Sequence, residues 1–450
     1  MESGRNQLKN MSLFALTWPI FIEIFLHMLM GNADTLMLSQ YSDNSVAAVG
    51  VANQILYLII VMFGFVATGT VILVAQYLGA ERELEAGSVS VVSLFANLIF
   101  GMILSLILLI FTSPILKMMD IPAELMAEAS SYLKIVGGFA FVQALIMTAS
   151  SILRSYGFTK DAMYITIGMN ILNVIGNYLF IFGPFGIPVL GVDGVAISTT
   201  VSRLAGFIII MIVLVKRAPN SLPIRTIVRP LQHFKDLLKI GIPSAGEQLS
   251  YNASQMVITI FIASLGTEDL TTRVYTQNIM MFIFLFAVAI SQGTQIIIGH
   301  MIGAGKISEA YDRCIKSLKI AIVISLAMAI VVSFFSKPLF SIFTENSSII
   351  SLGSLLILIT IILEPGRSFN LVVINSLRAA GDVKFPVYIG ILSMWGVSVT
   401  LAYLLGITFG MGLVGIWIAY CADEWLRGIL MLFRWRSRVW VDKAFVKVSA

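Results

Sequence analysis

One ionisable side chain stands where water should be scarce. In the stretch "MLMGNADTLML", Met28–Leu38, Asp34 lies near the end of an apolar run that opens around Leu13. An ionised carboxylate is costly to keep in lipid or in a dry interior. Such a group either exchanges a proton near neutral pH or stays ionised by holding a cation. The plainer alternative is an acid that caps the helix end or reaches back to the membrane surface. Asn32 and Thr35 beside it offer polar company, and Asn173 and Asn177, four apart, share one face of a later helix. Pro19 lies in the same apolar run as Asp34. A proline inside a helix removes one backbone hydrogen bond and kinks the chain. Protonation of Asp34 is therefore expected to change the bend of this helix, with Pro19 as the hinge.

Other charges fall inside apolar runs. Glu364 and Arg367 are three apart, beside the Pro365–Gly366 break, and can pair on one helical face. Asp423 and Glu424 lie next to Arg427 and are expected to pair with it. A second role for the Glu364–Arg367 pair is a gate or a contact for substrate acids. Gln54 and Asn278 join Glu23, Glu247, Glu364 and Arg367 as candidates for cavity lining or secondary coupling. His27 and His300 are read as hydrogen-bonded core residues rather than proton relays. The chain lacks a zinc-protease, phosphate-loop or nucleophile-elbow motif, and its three histidines and two cysteines, Cys314 and Cys421, match no metal-ligand spacing. No enzyme, no nucleic-acid partner and no cofactor beyond a coupling ion are expected. A passive channel would conduct without counter-ion coupling.

The elements that carry these residues follow from composition. Hydrophobic residues make up 58% of the 450 and charged residues 12%, about half the charged share of an ordinary soluble domain. Lipid must then be the main solvent. Runs long enough to cross a bilayer as helices occur at 13–38, 46–77, 88–112, 128–152, 161–182, 192–215, 239–264, 271–301, 315–336, 349–376, 386–407 and 411–434. Backbone groups in lipid must pair within their own segment, so the expected fold is an all-α membrane protein of twelve transmembrane helices. The first span is read as retained rather than as a signal peptide. Of the 29 Lys and Arg residues, 22 fall on the side of the termini and the even-to-odd connections and 3 on the other side. Four more, Lys134, Arg203, Arg367 and Arg427, lie within spans. That bias places both termini in the cytoplasm of a cell-membrane protein. The longest basic connection, Lys216–Lys239, contains three prolines and is expected to combine a loop with an amphipathic surface piece.

A shift of 224 residues lays the sequence on itself. Pro19 falls on Pro243, Glu23 on Glu247, "GTVILVAQYLGA" (69–80) on "GTQIIIGHMIGA" (293–304), and "LRSYGFTK" (153–160) on "LRAAGDVK" (377–384). Each half has six spans, so both enter the membrane in the same direction as a parallel repeat. The expected division is residues 1–224 and 225–450. Substrate sites of such folds lie near the bilayer midplane at the repeat interface. Gly-Ala at 79–80 and 303–304 is expected to end a helix, and the Leu-Arg-x-x-Gly-x-x-Lys segments are expected to be cytoplasmic helix ends with a turn at the glycine. Glu23 and Glu247, one turn after equivalent prolines, either line a cavity or steady the helix break.

The twelve spans in two sixes, the proline and aspartate of the first span, "LRSYGFTK", and Asn170–Thr199, "NILNVIGNYLFIFGPFGIPVLGVDGVAIST", together resemble the multidrug and toxic compound extrusion family. The resemblance implies two six-helix bundles and export of amphipathic, often cationic compounds by a monomer, driven by inward flow of H⁺ or Na⁺. It also implies that Asp34 meets the Asn173–Asn177 face, where oxygens of Asp34, Asn173, Asn177 and Thr199 can surround Na⁺ or water. Some relatives carry a second acid where Asn177 stands. Relatives with a cation site in the C-terminal bundle place an aspartate near the position of Arg367. Major facilitators share the architecture, but their basic signature between spans two and three is missing from "LGAERELEAG". Lipid-precursor flippases of the same superfamily usually have more spans and a cationic cavity.

Overall fold

A computed structural model describes residues 12–223 and 226–446. The polar N-terminal stretch, Arg225 and the expected division at 224/225 lie outside the described residues. The chain forms two compact units, one of residues up to Leu78 with Arg82–Gly241, the other from Ile242 onward with Gly79–Glu81.

The first unit begins with α1 (Leu13–Ser39), whose first turn is capped by the Ser12 hydroxyl accepting from the Ala15 amide at 3.1 Å. It continues through α2 (Asp43–Gly79) and α3 (Glu83–Met118). The fourth span is two helices, α4 (Ala123–Gly138) and α5 (Ala140–Ser155), bent by 43° at Phe139. No break was expected there. The adjacent Gly137 and Gly138 supply its physical reason, because neither side chain opposes a kink. Next come α6 (Thr159–Phe182), ended by left-handed Gly183, and α7 (Gly191–Arg217). Leu38, Val49, Leu108, Leu116, Leu133 and Val195 form a fully buried core.

α8 (Pro230–Leu265) starts in the basic connection and runs into the second unit. The expected surface piece is thus continuous with the seventh span, since no breaker but Pro243 interrupts it. Then follow α9 (Thr267–Gly303), α10 (Ile307–Phe334), the short α11 (Ser336–Ser341), α12 (Ser347–Ala379), α13 (Lys384–Ser393) and α14 (Gly412–Arg436). Beyond α13 the same span winds with the wider π-helical turn over Met394–Val399 and Ala402–Thr408. The core of this unit gathers Ile258, Ile279, Leu356, Leu363 and Trp417.

Among the described residues nine spans are long and apolar enough to cross a membrane alone, and the bent α4–α5 pair makes a tenth. α8 and α14 complete the twelve. They miss a purely apolar pattern because they carry buried Glu247, Asp423, Glu424 and Arg427. In contrast, α3 exposes Phe95, Ile99, Met102, Leu106 and Ile110, which is the surface that lipid covers. α2 and α9 end at Gly79 and Gly303, and the chain turns at Gly157 (φ 85°) and Gly381 (φ 93°) after the two Leu-Arg segments.

Candidate functional site

Asp34 is buried on the face of α1 that packs against α6. The same face carries Ile20 and Glu23, whereas Asn32 and Thr35 are exposed. Thr35 returns its hydroxyl to the carbonyl of Gly31 at 3.0 Å. Sequence neighbours one and two residues away cannot share a helical face, so the company of Asp34 comes from another helix. Asn177 Nδ2 donates to Asp34 Oδ1 at 2.5 Å and lies 3.4 Å from Asn173 Oδ1. Asn173 Nδ2 donates in turn to Thr199 Oγ1 at 3.1 Å. All four side chains are buried.

The close approach of α6 and α7 rests on two glycines. A Cβ at Gly176 would collide with Ser198, and one at Gly206 with Met169. Ser198 Oγ then reaches the Asn173 carbonyl at 2.8 Å. This contact sets Thr199, the next residue, beside the asparagine face.

Arg203 falls within a span, where spacing assigns it no role. It lies four residues after Thr199 on α7, and its Nε is buried without a hydrogen-bond partner. It acts electrostatically on Asp34, Tyr132 and His27. No ion pair within 4 Å joins it to Asp34 among the described residues. The signal that could have found it is its type, because a basic residue in mid-span is costly unless answered. Tyr132 of α4 is buried in the same unit.

Glu23 is tied to Arg154, with Oε1 3.8 Å from Nη2. Its repeat equivalent Glu247 makes a direct hydrogen-bonded ion pair with Arg378, the equivalent of Arg154. In each unit the acid that follows the proline inside the first span is therefore held to the end of the fourth span. Gln54 and Asn278, also 224 apart, are exposed and join neither cluster.

In the second unit Arg367 Nη1 meets Glu364 Oε1 at 2.8 Å and its Nε lies 3.6 Å from Glu424. Arg427 binds Asp423 at 2.7 Å and Glu424 at 3.1 Å, Asn370 donates to Glu424 at 2.8 Å, and Ser393 donates to Asp423 at 2.5 Å. Tyr251, Gln255 and Tyr420 help to line the small polar cavity beside them. Here each carboxylate already has a guanidinium.

A hard cation such as Na⁺ must exchange its hydration shell for several oxygens. At the N-terminal cluster one oxygen of Asp34 accepts from the Asn177 amide and Asn173 donates to Thr199, while Asn177 Oδ1 is buried without a hydrogen-bond partner. Among the described residues no group of three His, Cys, Asp or Glu side chains could hold a metal ion.

A family model described as MatE matches residues 19–179 and again 243–404. The two matches start at Pro19 and Pro243, the offset of the internal repeat. The chain is 58% identical over 436 residues to the uncharacterized transporter YisQ of Bacillus subtilis (strain 168), covering 97% of this chain and 96% of that one. It is 26% identical over 432 residues to the probable multidrug resistance protein NorM of Thermotoga maritima, covering 96% and 93%. A solved MATE structure in the bent conformation superposes with a TM-score of 0.89 at 22% identity over 97% of both chains. An outward-facing multidrug resistance MATE family transporter of the MOP superfamily gives 0.87 at 22%, over 97% and 96%. These likenesses establish the same fold.

Proposed function

Because the chain belongs to the MatE family of membrane transporters, we propose that it exports amphipathic organic cations across the cell membrane in exchange for inward-moving protons. Relatives named as probable multidrug resistance proteins support the substrate class. The observation that carries the proton reading is the Asn177–Asp34 hydrogen bond, buried on the helix that contains Pro19.

Deprotonated Asp34 accepts from Asn177 and holds α1 against α6. A proton on the carboxyl removes the charge that strengthens this bond. α1 then relaxes about Pro19, where one backbone hydrogen bond is already missing, and its new bend closes the N-terminal drug site. Glu23 with Arg154, and Glu247 with Arg378, steady the hinged helices, while Gln54, Asn278 and the Glu364–Arg367 pair serve the substrate path. Both termini face the cytoplasm, residues 1–224 and 225–450 act as the two bundles, and the protein works as a monomer.

The test is transport of a fluorescent organic cation by reconstituted protein, with pH and Na⁺ gradients imposed separately. A pH gradient alone should drive transport, and Asp34→Asn should reduce the driven rate by at least about 10-fold, the lower range for losing a positioned proton-transfer group. Wild-type rates from Asp34→Asn, or transport driven by Na⁺ alone at symmetric pH, would overturn the reading.

A further inference from the structure

α7 leaves the apolar part of its span with two cations in a row, Lys216 and Arg217. With Val213 of the same helix and Asp161 of α6 they line an open groove of about 380 Å³, within the range of small-ligand sites, about 300–1,000 Å³. Arg217 Nη2 lies 3.4 Å from Asp161 Oδ1 and closes one wall, yet the arginine remains 58% exposed. Lys216 is exposed and has no ion-pair partner among the described residues. The surface that continues from the groove is apolar. On α7, Ile208, Ile212 and Val215 share one face by their spacing and are exposed. On α6 so are Tyr164 and Ile171, with Gly168 between them adding no side chain. At the 224-residue offset Phe385 stands where Asp161 does, with Arg434 over its ring at 4.7 Å. The acid of this groove is therefore not part of the duplicated frame.

We propose that this groove binds one anionic phospholipid of the adjoining leaflet, a phosphodiester whose headgroup ends in hydroxyls, as in phosphatidylglycerol. Two cations against one carboxylate leave one surplus positive charge among the lining residues, and a single phosphodiester answers it. Choline and ethanolamine headgroups bring an ammonium of their own and leave the surplus unmatched. Lys216 supplies a free ammonium, and Arg217 a planar fork for phosphate oxygens. Asp161 uses only Oδ1 in its pair with Arg217, so Oδ2 can accept a headgroup hydroxyl. Basic pockets between spans near a membrane surface suit such headgroups. The acyl chains then lie along the exposed faces of both helices, beginning at Tyr164, three residues after Asp161, and at Val215, next to Lys216. Bound there, the lipid braces the start of α6, the helix of Asn173 and Asn177, against the end of α7.

The site is independent of the transport reading, and its test needs no transport. Purified protein in detergent is titrated with phosphatidylglycerol, phosphatidylcholine, phosphatidylmethanol (the same charge without hydroxyls) and glycerol phosphate (no acyl chains). Bound lipid is counted by native mass spectrometry, and the melting temperature is followed. Wild type should bind phosphatidylglycerol saturably and melt at a higher temperature. Phosphatidylmethanol should bind more weakly, and phosphatidylcholine and glycerol phosphate should have no effect. Lys216→Gln should raise the half-saturating phosphatidylglycerol concentration about 5-fold, the attraction of one cation near a membrane surface. Lys319→Gln, at an exposed lysine of the second unit, should leave it unchanged. Both lysines are exposed, so neither substitution disturbs the core. Asp161→Asn should bring phosphatidylglycerol and phosphatidylmethanol to equal affinity. Equal losses from the two lysine variants would reduce the effect to bulk surface charge and overturn the proposal. So would stabilisation by glycerol phosphate alone, or wild-type binding of phosphatidylcholine or phosphatidylmethanol as tight as that of phosphatidylglycerol.

Discussion

Loss of Arg378 should cost more than loss of Arg154, although the two arginines occupy equivalent positions of a repeat. Arg378 makes a direct hydrogen-bonded pair with Glu247, and both side chains are largely buried, at 16% and 11% exposure. Removing one partner of a buried pair typically costs about 3–5 kcal/mol, because the other charge is left unanswered. Arg427 also acts on Glu247 and softens that loss, so about 2–4 kcal/mol is expected for Arg378→Met. Arg154 sits 3.8 Å from Glu23, beyond hydrogen-bond reach, and its Nε also contacts the Ser150 carbonyl. What separates the two pairs is then one charged hydrogen bond, about 1.5–3 kcal/mol. Double-mutant cycles isolate it: Glu247→Gln with Arg378→Met, against Glu23→Gln with Arg154→Met, by denaturant unfolding in detergent. The expected coupling is about 2–3 kcal/mol for the first cycle and about 1 kcal/mol or less for the second. Coupling near zero for Glu247–Arg378, or equal values for both cycles, would refute the reasoning.

Two further outcomes follow from packing and from the basic connection. Gly101 of α3 faces Phe141 of α5, whose Cα would lie 2.8 Å from an added Cβ. Gly101→Ala should therefore force the helices apart and cost about 1–3 kcal/mol, read as a lowered melting temperature with little change in helical circular dichroism. His233, outside the spans, packs edge-on to Tyr77 at 5.3 Å, and burial holds its imidazole below the usual value against the opposing pull of Asp236. The folded protein keeps it neutral, whereas the unfolded chain takes up a proton below about pH 6.5. Stability should thus fall as the pH drops from about 6.5 toward the lower folded value. His233→Gln should narrow the difference in melting temperature between pH 7.5 and 5.5, and an unchanged difference would show that this group does not titrate on unfolding.

Much of this architecture can be read from sequence because the bilayer imposes a length on every element. All twelve expected spans overlap helices, and the 224-residue offset reappears in the two family matches. Helix ends at Gly79, Gly303 and the two Leu-Arg segments are visible because glycine marks them. The bend at Phe139 and the π-helical winding after Met394 are not, since hydropathy averages over them. Within the site, the partnership of Asp34 with Asn177 came from family resemblance, not from spacing, because the two residues lie 143 apart. The Glu23–Arg154 pair is not legible from spacing for the same reason, although both residues recur at the 224-residue offset. Arg203 has Thr199 and Thr200 one turn before it, so spacing gives it no charged neighbour on its own helix face.

Under the proposed proton coupling, the duplicated frame and the unlike interiors together make the first unit the switch. Proline, glutamate and arginine recur at the same offset, so both units own a breakable first helix and a tether to the fourth span. Their interiors differ in what must be broken for that helix to move. In the second unit the buried acids are bound to guanidiniums at 2.7–3.1 Å, and separating any such pair strands a charge at a cost of about 3–5 kcal/mol. In the first unit Asp34 is held by a neutral amide, a bond of about 1.5–3 kcal/mol to a charged acceptor. One proton on the carboxyl takes that charge away. In the proposed mechanism protonation releases α1 with an energy that a transmembrane proton gradient supplies, whereas in the second unit Arg367 and Arg427 each contact two acids, so one protonation leaves the network held.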